Sequence, residues 1–339
     1  MTAARWRATL FMIARAVLGV ALLVSVLKSG GAWESLKGML GVVWLVAILN
    51  LVPFIGGSIE ALRLGVLFGA QGLAVPFWTG FRVVAIGTLF NLWIPGGTGG
   101  DVMKLYYLSQ RNRGRGVEVA TILLVDRAVA LFAMLALILG LLIAERSVPA
   151  VAPAIERAML VVTIGLAVLL AGLLAMWSPR LRGSGFHRWI TTKVPFGRYL
   201  GRAADAVYAF RSKPGVLITA GLYSMAGHLL LAGSFALAGT VLVPSVPSVL
   251  VATLSLLGLI ANALPITPGG VGVGEAAAEA LFRAVGVPGG AALVAAWRVG
   301  MIGVSIVGAG LYIFGDRGGT VAATRDSDAF ESSVRVTGR

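Results

Sequence analysis

Two stretches far apart in the chain share one order of residues. They are Asn91-Leu-Trp-Ile-Pro95-Gly-Gly-Thr-Gly-Gly-Asp101 and Asn262-Ala-Leu-Pro-Ile-Thr-Pro268-Gly-Gly-Val-Gly-Val-Gly-Glu275. Each is an apolar arm, a proline, a glycine-rich bend, an acid and a second apolar arm. Proline and glycine break helices and bare backbone polar groups. Bare backbone facing lipid is not tolerated. Such breaks inside apolar arms predict two re-entrant hairpins that meet in a protein-lined cavity. Ordinary glycine-rich surface loops are the alternative, and the repetition of the order favours the hairpins.

The surrounding chain is that of a polytopic helical membrane protein. It is 58% hydrophobic and 12% charged, with a mean hydropathy of +0.92, whereas soluble domains are about 25% charged. Several apolar runs reach the roughly 20 residues that cross a bilayer. There is no cysteine, hence no disulfide framework, thiol nucleophile or thiolate metal site. His187 and His228 are far apart in sequence and form no ligand cluster. The net charge of +14 sits beside apolar spans. It reads as positive-inside bias and attraction to anionic lipid, not as a nucleic-acid surface.

Taken in order, Thr9–Leu27 predicts a first span that is retained, with Arg5, Arg7 and Arg15 holding its start in the cytoplasm. A second span, Leu40–Leu62, returns inward, kinked by Pro53 and Gly56-Gly57. Glu60 and Arg63, one turn apart, read as an interfacial ion pair. Pro76–Trp93 and Val102–Leu108 flank the first bend and end in the basic cluster Arg111–Arg115. Val119–Ala144 crosses outward and Ala158–Trp177 returns. Ser178–Pro214 carries eight basic residues against Asp205 alone, interleaved with aromatics. This belt predicts an amphipathic segment on the anionic leaflet. Val216–Leu242 goes out, Val249–Leu264 and Glu275–Phe282 flank the second bend, and Pro288–Phe314 crosses back. Residues 316–339 read as a disordered cytoplasmic tail.

That order contains a symmetry. About eight helical elements divide into an inverted repeat: residues 1–144 with a hairpin near 76–108, and 145–315 with a hairpin near 249–282. Inverted repeats place substrate at their interface near mid-membrane.

The candidate substrate-binding residues follow from the bends and from the intramembrane charges. They are Arg82, Asn91, Gly96, Gly97, Gly99, Gly100, Asp101, Lys104, Asp126, Arg127, Gly269, Gly270, Gly272, Gly274, Glu275 and Arg298. Neither bend carries a nucleotide-binding loop: Gly97-Thr-Gly-Gly-Asp-Val lacks a third glycine, and Gly-Lys-Ser/Thr is missing. A half-helix N-terminus pointing inward offers N–H groups and a positive dipole end to a phosphate or carboxylate. In competition, Asp101 and Glu275 could cap their own helices and use up those donors. Lys104 with Arg82 could hold a lipid phosphate, or both could snorkel. Asp126 and Arg127 point about 100° apart on a helix, so each needs a partner elsewhere. Glu275 or Asp126 could neutralise Arg298. His228 reads as a packed, hydrogen-bonded core histidine. Lys104 in the first bend against Glu279 in the second suggests one cation-rich and one acid-rich mouth, suited to a zwitterionic or aminoacylated headgroup.

Asn91–Asp101 with Lys104, Thr121-Ile-Leu-Leu-Val-Asp-Arg127 and Pro265–Glu275 together resemble the lysylphosphatidylglycerol synthase transmembrane family, also called flippase-like integral membrane proteins. The resemblance covers roughly Thr9–Phe314. In bifunctional members this region is joined to a soluble aminoacyltransferase domain and moves the modified lipid between leaflets. Stand-alone relatives are linked to hopanoid or polyprenyl-phosphate sugar pathways. The resemblance implies lipid movement as a class. Lysyl transfer is not carried over, since only a short tail follows Phe314.

The expected function is movement of an anionic or modified lipid between leaflets of a bacterial inner membrane, by a multi-pass protein with both termini cytoplasmic. No cofactor, metal or nucleic acid is expected; the partners are membrane lipids and a separately encoded synthase or glycosyltransferase. Two alternatives stay open. One is a membrane-embedded lipid-phosphate transferase using Asp101, Asp126 and Glu275. The other is a non-catalytic anchor that holds a glycosyltransferase through the basic belt.

Overall fold

The structure is a computed structural model and describes residues 37–38, 41–91, 99–145, 152–178, 205, 207–263, 266–267 and 269–314. Thr9–Leu27, the centre of the first bend with Gly96 and Gly97, most of the basic belt and the tail lie outside the described residues.

All secondary structure among the described residues is helical. In chain order the helices are α1 (Val43–Ala70), α2 (Phe77–Asn91), α3 (Gly99–Arg111), α4 (Gly116–Glu145), α5 (Ala152–Trp177), α6 (Pro214–Leu242), α7 (Ser248–Ile260), α8 (Val273–Ala284) and α9 (Gly290–Ile313). Four of them, α1, α4, α6 and α9, are long and apolar enough to cross a membrane. The elements beside the glycine bends are shorter: α2, α3, α7 and α8 have 15, 13, 13 and 12 residues. At about 1.5 Å per residue none spans the roughly 30 Å of hydrocarbon alone.

The sequence predicts the second span to end near Leu62, yet α1 runs on to Ala70. Glu60 and Arg63 are the reason. A charged pair marks a membrane surface only when it must reach water, and here both groups find partners inside the bundle. The helix also runs unbroken through Pro53. Pro53 has no N–H for the Leu49 carbonyl, and that carbonyl lies against Gly300 of α9: a Cβ on Gly300 would sit 2.3 Å from Leu49 O. Replacing Gly300 with Ala is therefore expected to force α1 and α9 apart and cost about 1–3 kcal/mol. Unfolding in mixed micelles measures this; an unchanged midpoint would mean that the two helices do not meet there.

The helices pack by a regular scheme. α1 packs on α6, and α1 on α2 is matched by α6 on α7. α2 on α3 is matched by α7 on α8, and α3 on α4 by α8 on α9. The crossed contacts match as well: α4 on α6 with α9 on α1, and α9 on α2 with α4 on α7.

Two apolar clusters close the ends of the bundle. One holds Leu64, Leu67, Phe68, Leu108, Ile122, Phe210 and Ala220. At that end Arg115 donates to the Gln71 carbonyl at 3.2 Å and Lys213 donates to the Ala70 carbonyl, so the basic residues around them gather there. The other cluster holds Leu45, Leu49, Ile138, Phe235, Leu242, Val251, Phe282 and Leu293. Between the clusters, α1, α4 and α6 carry Glu60, Arg63, Asp126, Ser224 and His228. The candidate functional site is built in this polar layer.

Candidate functional site

Glu60 and Arg63 share a face of α1, but their ion-pair partners come from other helices. Arg63 Nε and Nη2 donate to the two Asp126 carboxylate oxygens at 2.6 and 2.9 Å, and Nη1 donates to Ser224 Oγ at 3.0 Å. Ser224 Oγ in turn donates to the Ala220 carbonyl at 2.9 Å. Glu60 accepts from Lys104 of α3. Lys104 also lies 3.8 Å from Asp101, whose carboxylate accepts from Arg127 of α4. Three acids and three bases thus alternate in space, and every member has an opposite charge beside it. Buried charges are tolerated on this condition, because an unpaired one keeps its full desolvation cost.

A cavity of about 230 Å³ opens on this layer between α1, α2, α6 and α9. Its polar lining is Glu60, Arg63, Thr88, Tyr223, Ser224 and His228, with Trp297 on the α9 side. Gly56 and Gly227 leave it room, since a Cβ on Gly56 meets nothing within 4 Å and one on Gly227 meets Ile59 at 4.0 Å. His228 faces the Ala130 carbonyl through Nε2 at 2.9 Å. A carbonyl only accepts, so Nε2 carries the proton.

The second bend is a built unit. Gly269, Gly270 and Gly272 have φ of 58°, 67° and 80°, a left-handed backbone that glycine enters without strain. Glu275, wholly buried, accepts from the Gly272 N–H at 2.9 Å and from Arg298. Arg298 Nη1 also donates to the Gly269 carbonyl at 3.0 Å, and its guanidinium lies 5.7 Å from the Trp297 ring centre. The clamp therefore adjoins the cavity through Trp297. Glu275 caps its helix and neutralises Arg298, so of the two acids the sequence offered for Arg298 it is Glu275 that pairs with it.

The first bend repeats the arrangement with one exchange of roles. Asn91, not Asp101, takes the N–H at the start of its helix: Asn91 Oδ1 accepts from Gly100 N at 2.6 Å. Asp101 faces Arg127 and Lys104 instead. The N–H of Thr98, which Asp101 would cap in the way Glu275 caps Gly272, lies outside the described residues. The asparagines are equivalent in position: a Cβ on Gly100 would meet the Asn91 amide, and one on Gly274 would meet the Asn262 amide. In both halves the acid after the bend pairs with an arginine of the next long helix, Asp101 with Arg127 and Glu275 with Arg298.

Three expectations change. Arg63 is buried and Glu60 half-buried within the network, and they are not an interfacial pair. Lys104 is turned inward onto Glu60, so it does not form a phosphate clamp with Arg82, which lies half-buried on α2. Glu279 caps α9, accepting from Gly289 N and Ala291 N at 3.1 and 3.2 Å, and it pairs with Arg283. With Lys104 and Glu279 both committed, the two oppositely charged mouths are not formed. Asp126 and Arg127 do find separate partners, Arg63 and Asp101. Gly99, buried at the start of α3, joins Gly100, Gly269, Gly270, Gly272 and Gly274 as bend residues and not as ligands of the cavity. The cavity residues Thr88, Tyr223 and Ser224 were not among the sequence candidates. They are uncharged residues on largely apolar helices, so nothing in the sequence singles them out.

Among the described residues no group of three or more acids, histidines or cysteines is placed to hold a metal. No curated protein and no solved structure matches the chain. The family model for the lysylphosphatidylglycerol synthase TM region matches residues 10–309. With its spanning helices, paired glycine bends and membrane-buried ion pairs, the chain belongs to that family of integral membrane proteins.

Proposed function

We propose that the protein moves a phosphate-bearing or modified lipid between the leaflets, its headgroup passing through the cavity between α1, α2, α6 and α9. The observation that carries this reading is a cavity among apolar helices whose largely apolar wall holds one acid and one base, each already paired with a residue of another helix. Glu60, with 27% of its side chain exposed, offers a carboxylate, and the Arg63 guanidinium offers N–H groups beyond those held by Asp126 and Ser224. That pairing suits a headgroup with both a phosphate and a cationic part. The cavity accommodates a headgroup and not acyl chains, which stay in the bilayer.

The matched packing of α1–α4 with α6–α9 supports an inverted repeat. The short arms α2–α3 and α7–α8 support re-entrant hairpins. The basic residues near Ala70 and Pro214 favour that end as the cytoplasmic one. A transferase is less well supported, because its candidate acids Asp101, Asp126 and Glu275 are each engaged by an arginine and none is placed to take a proton from substrate.

The test uses the purified full chain in liposomes carrying headgroup-labelled lipids, with an impermeant quencher outside. Phosphatidylglycerol, aminoacylated phosphatidylglycerol and a polyprenyl phosphate are compared. The protected inner pool is expected to disappear for at least one of them. A protected pool equal to that of protein-free liposomes for all three would return the choice to the transferase or anchoring readings.

A further inference from the structure

Arg127 stands in an unusual place. On α4 the outward stripe is Leu124, Arg127, Ala128, Leu131 and Phe132, at the spacing of one helix face. Leu124 is 61% and Phe132 42% exposed, as suits residues that face lipid. The Arg127 side chain is 51% exposed in the middle of that stripe. A charge facing hydrocarbon is costly unless it snorkels or is neutralised. Snorkelling does not explain this one. Asp101 lies ten residues before Arg111 on α3, and Arg127 eleven residues after Gly116 on α4. That is about 15 Å of helix from the basic end on both sides of the seam. Arg127 Nε and Nη2 are turned to a single Asp101 oxygen and not toward that end.

The equivalent pair, Glu275 with Arg298, is closed. Glu275 is wholly buried, and Arg298 is held by a carbonyl as well as by the acid. The two clamps thus differ in exposure: the Arg298 and Glu275 side chains are 14% and 0% exposed, those of Arg127 and Asp101 51% and 29%. The outward face of α3 connects the more exposed one to the basic end. Leu105, Tyr106, Ser109, Gln110 and Arg113 line a surface groove of about 500 Å³ there. Its lining passes from Leu105 and Tyr106 to Ser109 and Gln110, with Arg113 at the end nearest the basic cluster.

We propose that the α3–α4 seam is a lateral binding site for a phosphate-bearing lipid, in which Arg127 exchanges Asp101 for the headgroup phosphate while the chains lie along Val102, Leu105, Tyr106 and Leu124. The proposal rests on the lipid reading above and adds where the lipid leaves the bilayer. Arginine is suited to the exchange, since carboxylate and phosphate present the same planar edge to its fork.

The experiment is native mass spectrometry of the full chain released from phosphatidylcholine nanodiscs doped with phosphatidylglycerol, counting retained lipid. Wild type and Arg127→Lys are expected to retain phosphatidylglycerol. Arg127→Gln is expected to lose about tenfold in retention, the scale of one charge-assisted contact. Arg283→Gln serves as control, because Arg283 is also 51% exposed and paired with an acid, but at the other end of the bundle. Equal retention by Arg127→Gln and wild type, or equal losses in Arg127→Gln and Arg283→Gln, would overturn the site. Displacement of the lipid by excess inorganic phosphate would assign a free-anion site and overturn the lipid reading. Binding is read without movement, so retained lipid in a protein that moves none leaves this site standing and removes the transport function.

Discussion

Asp126→Asn is expected to destabilise the protein by about 3–5 kcal/mol, the usual cost of leaving a buried charge without its partner. The substitution keeps the shape of the side chain and removes only the charge that holds the Arg63 guanidinium through two hydrogen bonds. Ser224 remains as a neutral acceptor, which cannot replace a carboxylate. Arg63→Gln in the same chain is expected to recover most of the loss, because two neutral amides at these positions can satisfy each other. A double-mutant cycle in mixed micelles measures the coupling. Additive losses would show that the two residues do not depend on each other, and the polar layer would then have to be held by other contacts.

The second large effect concerns the two equivalent arginines, which should behave differently. Arg298→Gln removes the cation facing a wholly buried carboxylate and frees the Gly269 carbonyl. The expected cost is again about 3–5 kcal/mol. Faster amide exchange across 266–284 should accompany it, because Glu275 and Arg298 together fix the glycine turns. Arg127→Gln, on the more exposed clamp, is expected to cost no more than about 1 kcal/mol, as for an exposed pair. Equal costs at the two positions would contradict the distinction in exposure between the bends.

Much of this site is legible in the sequence. The two Asn–Pro–Gly–acid orders mark the bends, and helix geometry alone requires separate partners for Asp126 and Arg127. Glu275 was a correct candidate partner for Arg298, because both lie near one end of adjacent apolar arms. Glu60 and Arg63 were misread for a physical reason. Two opposite charges one turn apart satisfy each other on paper and end an apolar run plausibly. Their true partners, Lys104 and Asp126, are 44 and 63 residues away in sequence, and no local pattern encodes that distance. One clue was present: seven further residues without a charge, Leu64–Ala70, follow Arg63 and keep the helix going. Asn91 was singled out for its place in the bend, but its role as the cap of α3 depends on the close approach of Gly100, which only the folded hairpin brings about. The cavity lining was the least readable part, since it brings polar residues of α1, α2 and α6 together in one wall.

The most direct measurement compares wild type with Gly227→Leu in the leaflet-access assay. Gly227 lines the cavity, and a Cβ there meets only Ile59, at an ordinary contact distance of 4.0 Å. The variant should therefore fold normally and fill the proposed headgroup route. Loss of the protected lipid pool with wild type and its preservation with Gly227→Leu, at equal unfolding midpoints, is the predicted result. Movement of lipid by Gly227→Leu at the wild-type rate would contradict passage through this cavity.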